Sequence, residues 1–271
     1  AAAGERTAIL AELDALEKSE ANRFDTPRHI RNVRENLDRP GQEEAAADAM
    51  MWIAAGLEAE DPTRGIRKQE EAALRWFRHA GATAPPGTDM WKKANLYLFN
   101  RLMWNDRKEA EGLLDVIEAQ SQSDSLTQAR VVFDRMLLRL MDHDYDAAEA
   151  LCIRVARWHR DHPQLPEGLK KTDLDLLAQN APEVYFEALT SASLPAEDRI
   201  KRIDRVRGQS LLTMRVGEAA ARAKARIRGE PEPPSIWDLF RGASSRPASR
   251  PASPPAGGAD TAPATRAADA P

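Results

Sequence analysis

The feature that most restricts how this chain can fold is that it says the same thing twice. Arg101-Leu102-Met103, Asp106, Ala110-Glu111 and Leu113 return as Arg139-Leu140-Met141, Asp144, Ala148-Glu149 and Leu151, each displaced by 38 residues. Self-similarity at such a period marks a supersecondary unit that is copied and stacked. In each copy one apolar run precedes the shared aspartate and another follows it. Ala94, Leu98 and Leu102, then Val132, Met136 and Leu140, recur at steps of four, which places them on one helix face. Asp106 and Asp144 stand where a short acidic side chain accepts the free N–H groups of the next helix's first turn. The second runs carry Ala110, Leu113, Leu114 and Ile117, then Ala148, Leu151, Cys152 and Val155. Two worn copies flank these, one around Ala72, Trp76 and His79 and one near Glu187-Ala188.

A helix pair of this size has an apolar side that it cannot cover alone, so neighbouring pairs must lie against it. The layout resembles the tetratricopeptide repeat. Asp144-Tyr145-Asp146-Ala147-Ala148 carries the resemblance, with Asn105-Asp106 through Glu109-Ala110 as the weaker copy and Pro163 beyond the helix end. It covers roughly residues 43 to 163. The family's first-helix glycine and tyrosine are missing, and the spacing is 38 rather than 34 residues. The resemblance implies an all-α, right-handed α-solenoid of antiparallel helix pairs, with a binding groove lined by the first helix of each pair. On the two clear copies that groove is Lys92, Asn95, Phe99 and Met103, then Arg130, Phe133, Leu137 and Met141. The competing reading is that these side chains are simply buried between helices.

Around this centre the chain divides at its prolines and glycines. Residues 1–39 read as two capping helices, with Ile9, Leu13 and Leu16 on one and Ile30, Val33 and Leu37 on the other, the second starting at Asp25-Thr26-Pro27. The repeat domain spans 40–195. Its first helix runs through Ala49, Met50, Trp52, Ile53 and Leu57, the partner starts at Asp61-Pro62-Thr63 and ends near Gly81, and Pro85-Pro86-Gly87 makes the widest break. Residues 169 to 191 are expected as one or two shorter helices interrupted at Pro182. Residues 196–228 form a basic helical region that weakens at Gly208 and packs on the repeats through Ile200, Ile203, Val206, Leu211 and Met214. From 229 to 271 the chain is a tail rich in proline, alanine and serine, whose last ~30 residues are expected to be disordered. Within it Ile236, Trp237, Leu239 and Phe240, in the segment 235–241, are large apolar residues bracketed by prolines. Such residues are expected to dock, either on this chain or on a partner.

Charge is spread unevenly. The segment from Glu197 to Glu230 carries ten basic and five acidic residues, whereas the first 196 residues carry a net −9. A basic helix that binds nucleic acid or an anionic surface is therefore one alternative. Interleaved acids and the lack of outward aromatics argue against it. An enzyme is the other alternative, but no Gly-rich phosphate loop, Gly-x-Ser-x-Gly elbow or His-Glu-x-x-His motif is present. His159 and His162 stand one turn apart and His143 is nearby, yet no third ligand sits at useful spacing, so no metal site is expected. Asp142, Asp144 and Asp146 open like a calcium loop, but Ala147 and Ile153 occupy the positions that need glycine and glutamate. No cofactor is implied. Cys152 is expected to be a small core hydrophobe.

No stretch approaches the roughly 20 apolar residues of a membrane helix. The opening Ala1-Ala2-Ala3-Gly4 fits a mature end after signal removal as well as a trimmed chain, which leaves periplasmic, secreted and cytoplasmic locations open. The leading expectation is a non-enzymatic interaction scaffold that holds a peptide or partner helix in the repeat groove.

Overall fold

In a computed structural model, residues 3–19, 26–65, 67–122, 124–162, 169–210 and 213–233 are described. Among them there are helices and no strand. Ala1–Glu232 forms one unit and Pro233–Pro271 a second, of which only Pro233 is described. Helices α1 (Ala3–Lys18) and α2 (Thr26–Asn36) bury Ile9, Leu13, Leu16, Ile30 and Val33. They lead to α3 (Glu43–Glu58) and α4 (Glu70–Thr83). The two repeat copies are α5 (Asp89–Asn105) with α6 (Arg107–Gln120), and α7 (Ser125–Met141) with α8 (Tyr145–Ala156). A single turn, α9 (Trp158–Asp161), precedes α10 (Leu169–Thr190), α11 (Ala196–Gln209) and α12 (Met214–Arg228).

Both repeat aspartates cap as their spacing requires. Asp106 accepts the Glu109 N–H at 2.9 Å and Asp144 the Ala147 N–H at 3.1 Å, so each relieves a donor that the first helical turn leaves unpaired. Ala94, Leu98 and Leu102 are buried on α5, as are Val132 and Met136 on α7, while Leu140 is half-buried.

Packing joins consecutive helices, α3 to α4, α4 to α5, α5 to α6, α6 to α7 and α7 to α8, with α3 also touching α5. The buried side chains fall into two clusters. The first draws on α1 through α6 and also includes Val131 and Leu138 of α7. The second draws on Ala129, Val132, Phe133 and Met136 of α7 and continues through α12. Helix α7 therefore buries two opposed faces, one in each cluster.

Several turn signals act differently from their sequence reading. Asp61-Pro62-Thr63 starts only a 3-10 turn, Pro62–Arg64, which Gly65 ends at φ +67°, and the long helix begins at Glu70. Helix α4 ends at Thr83, two residues beyond Gly81, as expected, but Gly81 serves packing rather than termination. A Cβ there would meet Asn95 Oδ1 at 3.0 Å, so the missing side chain is what admits α5. Pro182 is carried inside one continuous α10. A proline forfeits a backbone hydrogen bond, but Ala178 and Ala181 on one side of it and Tyr185, Phe186 and Leu189 on the other are all buried, and their packing keeps the helix going. The basic region breaks at Ser210, two residues beyond Gly208, and restarts where Thr213 caps the Val216 N–H at 3.3 Å. Trp52, read as a core residue of α3, is 55% exposed.

Candidate interaction surface

The eight residues expected to line a groove are mostly occupied inside the molecule. On α5, Phe99 is fully buried, Met103 and Asn95 are nearly so, and the Asn95 amide donates to the Trp91 carbonyl at 2.8 Å. Lys92 lies between Asp124 at 2.7 Å and Asp89 at 3.4 Å. On α7, Phe133 is buried beneath the Arg130 guanidinium, 5.4 Å from its ring centre, and Arg130 donates to Asp134 at 3.0 Å. Leu137 and Met141 are half-buried and pack on the first cluster. Side chains so placed hold α5 and α7 to their neighbours.

The open face of α5 is one residue further round. Lys93, Tyr97, Asn100 and Trp104, spaced by four, three and four, form an outward stripe because one residue of helix is about 100° of rotation. Tyr97 is 44% and Trp104 71% exposed. Tyr97 rests its inner side on the buried Phe77 ring of α4, 6.1 Å between centres. Trp52 of α3 stacks on His29 of α2 at 5.9 Å. Helices α3 and α5 are tied by Lys93 to Asp48 at 3.7 Å and by Arg101 to Glu58 at 2.7 Å, so the two helices run side by side in the same direction. The Glu58 hydrogen bond holds the Arg101 guanidinium above its ordinary pKa despite partial burial. At the end of this face a cleft of about 460 Å³ opens, lined by Glu58, Lys68, Leu74, Asn100, Arg101 and Trp104. Its charges are spoken for, with Lys68 on Glu70 at 2.9 Å and Arg101 on Glu58. Sequence reasoning passed over Tyr97 and Trp104. The signal available for them was two aromatics seven residues apart with Lys93 and Asn100 on the same stripe.

Arg101 and Arg139, equivalent by the repeat, each reach a glutamate of the preceding pair, but on different helices. Arg101 takes Glu58 of α3, whereas Arg139 takes Glu111 of α6 at 2.7 Å. Helix α7 is correspondingly covered by α6 where α5 is open, since Val131 and Leu138, the counterparts of Lys93 and Asn100, are buried.

The basic region spends most of its charge internally. Glu149 of α8 accepts Arg205 at 2.6 and 2.9 Å, Arg202 at 2.9 Å and the Tyr185 hydroxyl at 3.2 Å. Burial pushes the Glu149 carboxyl up, but Arg205 and Arg202 outweigh burial and hold it below the usual range. Arg202 also binds Asp146 at 2.6 Å, Arg215 binds Glu183, Lys224 binds Asp204, and Arg226 binds Glu187 and Glu232. Arg199 donates to the carbonyls of Leu189 and Thr190 that end α10.

The histidines are engaged singly. His79 is 3.5 Å from Glu12 and edge-on to Trp76, His143 is 3.2 Å from the Tyr145 hydroxyl, and His162 stacks on Trp158 at 4.3 Å. The side chain of His159 and the motif Ile236, Trp237, Leu239 and Phe240 lie outside the described residues. Among the described residues no three or more His, Cys, Asp or Glu side chains are grouped to hold a metal ion, and no helix is long and apolar enough to cross a membrane. Cys152 is buried, and burial followed by the nearby Glu149 charge drives its thiol pKa well up, away from the reactive thiolate. The chain matches no protein family, no curated protein and no solved structure.

Proposed function

We propose that this protein is a non-enzymatic interaction module, a solenoid of antiparallel helix pairs, which holds an amphipathic peptide or partner helix across α3 and α5. The stacking of α3 on α5 and the capped turn within each repeat copy support that architecture. The observation that carries the functional reading is the exposure of Tyr97 and Trp104 on one stripe of α5, with Trp52 exposed on the adjoining helix. Large aromatic side chains left open together, beside amides and ion pairs already closed on each other, suit a ligand with an apolar face and uncharged polar edges. A strongly acidic or phosphorylated ligand meets no free cation among the described residues of the cleft, because Lys68 and Arg101 are paired. The nucleic-acid alternative draws no support from α11 and α12, whose arginines are largely bound to carboxylates of the same chain.

The test is affinity capture of binding partners by the full chain and by a Tyr97→Ser/Trp104→Ser double variant, with unfolding midpoints measured beside it. Proteins held by the parent and released by the variant, at an unchanged midpoint, are the expected result. Equal capture by both would overturn the assignment of this face.

A further inference from the structure

Helix α7 is the place where the two clusters meet, and it carries an acid in the wrong kind of surroundings. Asp134 is fully buried. Its Oδ2 accepts Arg130 Nε at 3.0 Å, and its Oδ1, 3.0 Å from the same Nε, is enclosed with no hydrogen bond of its own, so one shared N–H serves the whole carboxyl. At about 100° per residue, Asp134 falls in the middle of the face formed by Val131 and Leu138 on one flank and Leu137 and Met141 on the other. These are the side chains with which α7 joins the first cluster. An ionised carboxylate that one shared N–H must satisfy in an apolar seam is costly, and a protonated one much less so.

We propose that Asp134 makes the packing of α7 on the first cluster proton-dependent, tight when the carboxyl is protonated and loosened when it is ionised. Burial raises the Asp134 carboxyl from 3.8 to about 6, with Arg130 opposing the shift only in part. A carboxyl raised in the closed state favours closure below its open-state value, and that preference is lost as the pH climbs through about 6. Most of the other described charges around α7 are already closed on partners. Those of α6 that face it are Asp115 and Glu118 on Arg135, Glu111 on Arg139, and Arg107 on Asp142. At the start of α7, Lys92 of α5 holds Asp124. Helices α8 and α10 pack on the opposite face, around Ala129, Val132 and Met136. There α8 brings Glu149, bound by Arg202 and Arg205. Helix α10 brings Asp173, Asp175, Glu183 and Glu187, the last two bound by Arg215 and Arg226.

Amide hydrogen exchange, corrected for the intrinsic effect of pH, tests this at pH 5 and pH 7.5 on the full chain and on Asp134→Asn. A carboxyl moving from 3.8 to about 6 between the open and closed states makes opening roughly tenfold more frequent at the higher pH. The expected result is that loss of protection in α6 and α7 of the parent, a smaller change in α10 to α12, and no pH effect in the variant. A pH effect of equal size in all helices, or one retained by Asp134→Asn, overturns the proposal. Carbon-13 titration of the Asp134 carboxyl in the parent stands independently of whether the variant folds. A midpoint near 4 also overturns it.

Discussion

Replacing Glu149 by glutamine tests whether the last helices are held on by charge. The Glu149 side chain is 11% exposed and its carboxylate receives three charged contacts, but they are not equal. The Arg205 side chain is 54% exposed, so its pair is screened and contributes about 1 kcal/mol or less. The Arg202 side chain is only 15% exposed, and with Glu149 neutral its remaining acidic partner is Asp146, itself 86% exposed. Stranding one member of a buried pair outright costs about 3 to 5 kcal/mol, but Arg202 keeps Asp146 at 2.6 Å. Because that pair remains and glutamine keeps the shape and one acceptor, the expected loss at pH 7 is below that range, about 2 kcal/mol. Urea unfolding measures it, and faster exchange of the α11 amides locates it. Because the arginines hold the Glu149 pKa down, its contribution is present above 4.5 and is lost as the pH falls through its folded value. Parent and variant should therefore converge in acid. A loss under about 1 kcal/mol at pH 7, or a gap that does not narrow as the protein is acidified, would refute this account.

Asp106→Ala and Asp144→Ala each remove a cap and should each cost about 1 kcal/mol in urea unfolding, near-additively, since their partners are separate. His143 sits at φ +58° between α7 and α8, where a side chain is strained. His143→Gly should therefore not destabilise, and is expected to raise stability by up to about 1 kcal/mol in the same assay.

The sequence was informative wherever a residue's job is local. The capping aspartates and the apolar faces of α5 and α7 depend on neighbours within a turn or two, and spacing exposes them. The rotational setting of each helix depends on what lies across from it. The repeat implies that α5 and α7 present equivalent sides, yet α7 meets α6 along positions that α5 leaves open. That is why Phe99 and Phe133 were read as groove lining, while Tyr97 and Trp104 passed unnoticed. Pro182 misled for the same reason, because a local breaker yields when buried aromatic and aliphatic residues on both sides of it share a face. Trp52 misled in the opposite sense. Its step of helix matches the core residues Met51 and Ile53 only in sequence, and on α3 it falls outside the stripe that α4 and α5 cover.

A helix with two opposed buried faces has no spare side on which to absorb error. One residue inserted at the middle of α7 would swing everything after it by about a quarter turn, carrying Leu138 out of one interior and Leu140 out of the other in a single stroke. A chain severed before Ser125 would likewise leave its first half lacking the two side chains, Val131 and Leu138, that close its interior. This stretch should therefore be the least forgiving of length changes, although nothing in its composition sets it apart from its neighbours.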